Sequence, residues 1–228
     1  MGMSRSPLDP SVGRLPRVLP VFPLAGVLLL PRGRLPLNIF EPRYRAMVED
    51  AMAGDRLIGM VQPADPHCRS RAPALYPTGC AGRISQFERT DDGRFLIALT
   101  GVSRFTIHRE VDGVRGYRRV EADWTRFDGD VQPPVPAGLD RKRLLDGLKC
   151  FFPLHGMSAS WESLACAPED LLITSLAMIC PFEPCEKQAL LEAPDAAERG
   201  KLLIALIEMA ILDGHTGAVG ANCSPRRH

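Results

Sequence analysis

A proline-rich segment near the middle of the chain, Phe127–Gly138, separates two stretches of different character. Pro133, Pro134 and Pro136 lie within it, and prolines at this density stop both helices and strands. Before this segment, apolar residues come in short runs bounded by turn residues, which predicts strands. After it, they recur every three or four residues, which predicts helices. The sequence therefore predicts an α+β protein, β-rich first and helical second.

This change of character sets the predicted domain boundaries. Residues 17–132 are expected to form a β-rich domain and residues 133–214 a helical one, because 228 residues suffice for two such cores. The two ends of the chain carry no apolar periodicity. A flexible arm at residues 1–16 and a flexible tail at residues 215–228 are therefore predicted.

The β-rich part is organised around Arg17–Met52, in which apolar runs broken by prolines lead directly into a helix. Pro42 suits the first position of that helix, and Gly54 is predicted to end it as a left-handed cap. Thr90–Gly93 has the chemistry of a hairpin turn, and Gly59 is predicted to mark a bulge or a close backbone approach. Seven or eight strands result, from the runs Val18–Leu24, Val27–Leu30, Leu35–Phe40, Arg56–Val61, Cys80–Arg89, Arg94–Leu99, Val102–Val111 and Tyr117–Phe127. A closed or nearly closed barrel would leave such a set without free edges.

Four helices are predicted beyond the boundary, each bounded by a proline, a capping residue or a glycine. They run from about Leu144 to Pro153, Pro168 to Pro181, Pro184 to Glu192, and Asp195 to Gly214. The second of them is expected to bury one face, formed by Leu172, Ser175, Leu176 and Ile179.

A series of short motifs follows a fixed order along both parts of the chain. The motifs are Phe22-Pro23-Leu24, Leu30-Pro31, Leu35-Pro36-Leu37, Ile39-Phe40-Glu41, Arg43-Tyr44-Arg45, Gly82-Arg83-Ile84, Thr100-Gly101-Val102-Ser103-Arg104-Phe105 and Glu186–Glu192. Together they resemble the amino-terminal substrate-binding domain of the Lon (La) ATP-dependent proteases, and more closely the stand-alone proteins of that family. The resemblance covers about Arg17 to Asp213. It implies a PUA-like pseudo-β-barrel with one early helix, followed by a C-terminal helical bundle.

The resemblance also implies a non-enzymatic module that binds exposed apolar segments of client polypeptides. The sequence has no G-x-x-x-x-G-K-[ST] phosphate loop, since Gly200-Lys201 is followed by Leu202, and no G-x-S-x-G nucleophile motif. The ATPase and Ser–Lys protease modules of a full-length Lon protease are likewise not found in it. We therefore expect no catalytic residue and no cofactor.

Three sets of cysteine and histidine invite comparison with metal sites: His67-Cys68 with Cys80, Cys150 with His155, and Cys180 with Cys185. Structural zinc sites use closely spaced pairs that recur, and no second matching pair follows any of these. Seven cysteines, an odd number at irregular spacing, instead predict free thiols in a reducing cytoplasm. No metal site is predicted.

The candidate peptide-binding residues are large apolar side chains: Leu75, Tyr76, Phe151, Phe152 and Trp161. The first two belong to a long proline-rich segment, and such loops in compact domains are often functional. A groove between the two parts of the chain, lined by these side chains, would take extended or helical segments. The alternative is that each belongs to a core, because large apolar side chains are mostly buried.

A second cluster is interpreted as a structural motif: Phe40, Glu41, Arg43, Tyr44 and Arg45. Glu41 lies at a helix start, where the helix dipole favours a carboxylate. Arg43 and Arg45 are placed to pair with nearby acids. The alternative, a binding site, is kept open here.

The net charge of +1 gives the whole molecule no strong attraction to nucleic acid or to anionic membranes. Local basic residues keep one alternative open, because PUA-like barrels in other proteins bind RNA. They are Arg69, Arg71, Arg104, Arg109, Arg115, Arg118 and Arg119. Acidic residues lie among them, at Glu110, Asp112, Glu121 and Asp123. These acids would cancel much of the positive field, so nucleic acid is not the expected partner.

The expected partners are unfolded or degradation-tagged polypeptide segments, with a protease or chaperone as a further partner. The resemblance also implies self-association, so a homodimer is one expected assembly. Met1–Pro16 lacks the apolar core of a signal peptide, and the apolar run Leu24–Leu30 is far too short to span a bilayer. A cytoplasmic protein without membrane contact is therefore predicted.

Overall fold

The computed structural model describes residues 15–68, 70 and 72–220, with side chains described as far as Asp213. The predicted arm lies almost wholly outside these residues, as does most of the predicted tail. Contacts divide the chain into two compact units between Pro133 and Pro134. The first unit carries the strands and the second is helical, so the predicted α+β fold is confirmed.

One mixed sheet forms the first unit. Its strands are β1 (Val18–Pro23), β2 (Arg34–Ile39), β3 (Leu57–Val61), β4 (Thr78–Arg89), β5 (Phe95–Val114) and β6 (Tyr117–Asp123), with helix α1 (Pro42–Ala53) before β3 and a 3-10 helix (Thr125–Val131) after β6. The strand order is β2-β5-β4-β3-β1-β6, and β6 also pairs with β5. Five strands therefore close into a ring, while β2 is added to β5 outside it. This is the predicted barrel, and closure leaves the ring strands without free edges.

The 20-residue strand β5 makes this closure possible because it pairs with β2, β4 and β6. The only parallel pair in the described sheet, β1 with β3, is joined by a connection that includes α1. The prolines of β1 fit since Pro20 pairs only with β6 and Pro23 only with β3. A missing N–H is tolerated where a strand has one partner.

One predicted strand was wrong, and two others form one continuous strand. Val27–Leu30 is not a strand, although Leu28, Leu29 and Leu30 are buried. This segment crosses over Gly101, whose N–H donates to the carbonyl of Gly33 at 2.8 Å. The runs Arg94–Leu99 and Val102–Val111 form the single strand β5, because Gly101 lets another backbone approach without ending the strand.

Helix α1 begins at Pro42 as predicted, but its end differs. Gly54 has φ −122°, so the predicted left-handed cap was wrong at this position. Arg56 has φ +57° instead, and its N–H donates to the carbonyl of Ala51 at 2.9 Å. The helix therefore ends through a wider turn, which postpones the left-handed residue by two positions.

The barrel core is built from alternating residues of the ring strands, including Leu19, Val21, Phe105 and Val120, each with no exposed surface. A Cβ added to Gly59 would lie 2.8 Å from the side chains of both Leu19 and Phe105. The predicted bulge or close backbone approach at Gly59 was wrong, because Gly59 pairs in register with Ala81 and its nearest neighbours are side chains. Phe105 fills the space that the glycine leaves.

The second unit contains α2 (Arg141–Leu154), α3 (Trp161–Cys166), α4 (Glu169–Ile179), α5 (Pro184–Glu192) and α6 (Ala196–Gly220). The short helix α3 was not predicted, because six residues carry too little periodicity. Helix α6 continues past Gly214, so the predicted end there was wrong: one glycine costs only about 1 kcal/mol in a helix. Ile179 was also wrongly placed on a buried face, since it is 58% exposed.

Candidate functional site

Two of the candidate peptide-binding residues, Leu75 and Tyr76, lie in the first unit. Leu75 is half-buried, packs against the barrel core and forms a bridge with Pro63. The N–H of Tyr76 donates to the carbonyl of Gln62 at 2.9 Å. The ends of the proline-rich loop are therefore fixed to the barrel, with Leu75 serving partly as core.

The other three candidates, Phe151, Phe152 and Trp161, lie in the second unit. Phe151 and Phe152 are 0% and 2% exposed, whereas Trp161 is 40% exposed. The Phe152 and Trp161 ring centroids are 5.9 Å apart, and those of Phe151 and Phe182 are 5.8 Å apart. The two phenylalanines are therefore core residues. Trp161 packs on Phe152 and is exposed to solvent. A binding role for the five candidate residues stays a prediction.

The proposed structural motif connects α1 to the strands beneath it. Arg43 Nε donates to Glu41 Oε2 at 3.0 Å, and its guanidinium lies 4.5 Å from the centroid of Tyr44. Tyr44 packs on Phe22 with centroids 4.3 Å apart, and burial raises the pKa of its hydroxyl. Arg45 lies over the ring of Phe95 at 5.3 Å. Phe40 differs from the other members, because it is 62% exposed.

A cavity of about 130 Å³ lies beside this motif, where Arg43 and Tyr44 face Pro63, Pro73 and Arg118. Arg118 donates to the carbonyl of Pro73 at 2.7 Å, which holds the proline-rich loop against β6. Ligand pockets usually enclose roughly 300–1,000 Å³. This cavity is too small to hold a polypeptide segment.

A larger groove of about 590 Å³ runs over the outer strands β2, β4 and β5. The strand register places its apolar residues Pro36, Leu96 and Ala98 on one face of the sheet, with Ala98 opposite Pro36. Leu96 is 40% exposed. Phe87 pairs with Ile97 and lies on the other face, where its ring packs on Phe95 with centroids 5.1 Å apart. We call the face that carries Leu96 the sheet groove. The sequence gives no distinct signal for it, because Leu96 lies within the apolar run Phe95–Leu99.

The position of β2 limits how the sheet groove can bind a chain. β2 lies at one end of the strand order and carries Pro36 in its middle. Because proline has no N–H, an outer strand that contains it is a poor template for a further strand. Binding at this surface would therefore depend on apolar side chains rather than on strand addition.

A second groove, of about 480 Å³, lies in the helical unit between α2, α6 and the connection from α4 to α5. Phe151 and Phe182 form its floor, and Leu154 and Met209 stand at its mouth with 48% and 51% of their surface exposed. We call this surface the helical groove. It contains one candidate residue, Phe151.

The described arginines of the basic set all have acidic or carbonyl partners. Arg104 binds Asp130, Arg109 binds Glu121, Arg115 binds Glu49 and Asp50, Arg118 binds Glu110, and Arg119 binds the carbonyl of Asp112. Arg69 and Arg71 lie outside the described residues. Paired in this way, the arginines offer little positive field to a phosphate backbone, which argues against the RNA-binding alternative.

Glu121 provides a test of this pairing. It is 5% exposed, and burial acts to raise its pKa, but hydrogen bonds from Arg109 and Arg17 outweigh burial and hold the pKa below its usual value. A lowered pKa in the folded state adds stability above the unfolded-state pKa and loses it as the pH falls through the folded-state pKa. We expect Glu121→Gln to lower the free energy of unfolding at pH 7 and to lessen its decline in acid.

The measurement is urea unfolding at a series of pH values from 7 down to 3. The matched control is Glu88→Gln, on the exposed end of β4. Its free energy of unfolding should change with pH as that of the parent protein does. A Glu121→Gln profile that runs parallel to the parent would show that the pairing adds no pH-dependent stability.

In the part of the chain whose side chains are described, no three His, Cys, Asp or Glu residues gather as the ligands of a metal ion would. Cys180 is fully buried, and burial raises the pKa of its thiol to about 12. It therefore packs as a small apolar side chain. No helix among the described residues has both the length and the apolar character needed to cross a membrane.

The sequence matches one family over more than half its length. The family model described as the ATP-dependent protease La (LON) substrate-binding domain covers residues 18–146. The chain is 26% identical to Lon protease 2 of Myxococcus xanthus and 25% identical to Lon protease 1 of Thermus thermophilus, each over 201 residues. The alignments cover 85% and 83% of this chain but only 24% of each protease. The chain thus spans about a quarter of the length of these relatives.

Solved structures show the same likeness. The crystal structure of a Lon N-terminal domain protein from Xanthomonas campestris aligns with a TM-score of 0.59 and 25% identity, over 82% of this chain and 97% of that one. The N-terminal domain of the Mycobacterium avium complex Lon protease aligns with a TM-score of 0.60 over 84% and 98%. Because the latter identity is 17%, that likeness concerns the fold alone.

Proposed function

Since the chain belongs to the family of the ATP-dependent protease La (LON) substrate-binding domain, we propose that it is a non-enzymatic module that binds exposed apolar segments of client polypeptides. Binding would be reversible and would depend on unfolded or tagged clients displaying side chains that a folded protein buries. A protease or chaperone would act on the bound client.

The sheet groove is the observation that carries this proposal. Leu96 exposes 40% of its surface on a rigid sheet, and Pro36 and Ala98 extend that apolar surface on the same face toward β2. Contiguous apolar surface of this kind on a soluble domain usually marks an interaction site. An extended client segment could bury such surface without any strand being added to the sheet.

The double variant Pro36→Ser/Leu96→Ser is expected to bind an unfolded client about tenfold more weakly. Covering the exposed parts of two apolar side chains is worth about 1–2 kcal/mol, and 1.4 kcal/mol corresponds to a factor of ten. The probe is reduced, carboxyamidomethylated α-lactalbumin, with native α-lactalbumin as its folded counterpart, and affinity is measured by fluorescence anisotropy.

The control variant is Val135→Ser, which removes an apolar side chain that is 76% exposed outside both grooves and should leave affinity unchanged. Circular dichroism confirms that each variant is folded. If the parent protein bound folded and unfolded α-lactalbumin equally well, the proposed function would be contradicted. If the double variant were folded and bound the unfolded client as tightly as the parent protein, the sheet groove would not be the binding surface.

A further inference from the structure

The helical groove has a buried aromatic base and exposed apolar walls. Phe151 and Phe182 form the base and are 0% and 7% exposed, with their rings tilted by 43° and their centroids 5.8 Å apart. Leu154 on α2 and Met209 on α6 rise from opposite walls and are about half exposed. Methionine adapts its shape to different partners, which suits a surface that takes varied side chains.

The rim of this groove is acidic. Glu183 and Glu186 lie on one side, at the start of α5, and Asp213 lies on α6. Of the described side chains that line the groove, none is a lysine or an arginine, and His155 is the one basic group. Three carboxylates around a groove of this size favour a cationic partner and repel an anionic one.

The two carboxylates of α5 are held in place by the backbone. Glu186 Oε2 accepts from the N–H of Glu183 at 2.8 Å, and the side chain of Glu183 accepts from the backbone N–H of Glu186, which completes a capping box. The positive end of the helix dipole offsets part of their charge.

We propose that the helical groove binds client segments in which a short apolar stretch is flanked by lysine or arginine. The apolar side chains would pack between the exposed side chains of Leu154 and Met209, and the flanking cations would lie against the acidic rim. This inference rests on the proposed function and narrows it, because it assigns a charge preference to one of the two grooves.

The test uses the full chain and two disordered fluorescein-labelled peptides that share a central Leu-Phe-Leu. One carries three lysines on each side and the other three glutamates. At low salt the lysine peptide is expected to bind at least tenfold more tightly, and this preference should shrink as salt is added because exposed charges are screened. Equal affinity for the two peptides would overturn the inference.

The double variant Glu186→Gln/Asp213→Asn removes two rim charges while keeping the shape of the side chains, and glutamine still completes a capping box. It is expected to reduce the preference for the lysine peptide about fivefold. Its matched control, Asp146→Asn/Glu162→Gln, removes two exposed acids of the same unit that do not line the groove. Met209→Ser should weaken binding of the lysine peptide without altering the effect of salt. A preference that fell equally in both double variants would place the charge effect outside the groove.

Failure of this inference and failure of the proposed function are distinguishable. If unfolded α-lactalbumin binds but the two peptides bind equally, the charge preference is wrong and the proposed function stands. If neither the unfolded protein nor either peptide binds, the proposed function itself is wrong. Sedimentation that shows a dimer dissociated by Met209→Ser would assign the groove to a second copy of the chain and overturn the inference.

Discussion

Replacing Gly101 with alanine is expected to lower the free energy of unfolding of the barrel unit by at least about 3 kcal/mol, beyond the usual cost of overpacking. A Cβ at this position would lie 1.9 Å from the carbonyl oxygen of Leu30. The contact involves backbone, so no side-chain rotation can relieve it. Leu30 is fully buried, and the segment is fixed by hydrogen bonds from Arg32 to Gly101 and from Gly101 to Gly33, both 2.8 Å.

The measurement is urea unfolding in a Trp161→Phe background. The chain has two tryptophans, and this change leaves Trp124, which packs on Phe105 in the barrel, as the one reporter of that unit. The control is Gly129→Ala, because a Cβ there would meet open space. A loss of less than 1 kcal/mol for Gly101→Ala would mean that the crossing segment is not held against β5.

Replacing Asp130 with alanine is expected to cost about 3–5 kcal/mol, the range for removing one partner of a buried ion pair. The side chains of Arg104 and Asp130 are 3% and 11% exposed. Arg104 donates its backbone N–H and its Nε–H to Oδ2, at 2.9 and 2.8 Å, and a terminal N–H to Oδ1 at 2.8 Å. Without the carboxylate, a guanidinium charge would stay buried against the ring of Phe127.

The same urea assay measures this effect, and two further variants identify its cause. Arg104→Met/Asp130→Leu removes both charges and should recover part of the loss, since no unpaired charge is left behind. Asp146→Ala removes an acid from an exposed pair with Lys149 and should change stability by less than about 1 kcal/mol. Equal losses for Asp130→Ala and Asp146→Ala would contradict the assigned role of burial.

The sequence predicted those elements whose signals are local. Pro42 and Pro184 fix the starts of α1 and α5 because their missing N–H groups need no partner there. Thr90–Gly93 forms the predicted turn, with Gly93 at φ +80°. The strand predicted at Val27–Leu30 is not formed, because an apolar run indicates that residues are buried but not that they pair with another strand. A buried loop that crosses a strand gives the same pattern as a buried strand.

The candidate surfaces were harder to predict, because exposure is a property of the packed chain. Leu96 belongs to the continuous apolar run Phe95–Leu99, which is typical of a buried strand, yet its side chain is 40% exposed. Phe151 has the periodicity of a core residue and is one, but it also forms the floor of a groove. The acidic rim depends on the position of Asp213 near α5. No local sequence pattern predicts that proximity, because it results from the packing of two helices.

The closure of the ring through β6 also determines when this protein can fold during its own synthesis. β1 is made first, but Val18 pairs with Glu121 in β6, the last strand to be made. Until the ribosome has released β6, the ring stays open and β1 has only β3 as a neighbour, so part of the apolar core is exposed. A recombinant fragment that stops before Tyr117 would keep that defect permanently. The shortest piece of this unit suited to separate study therefore extends past β6 to Pro133, so that it keeps Asp130 as the partner of Arg104.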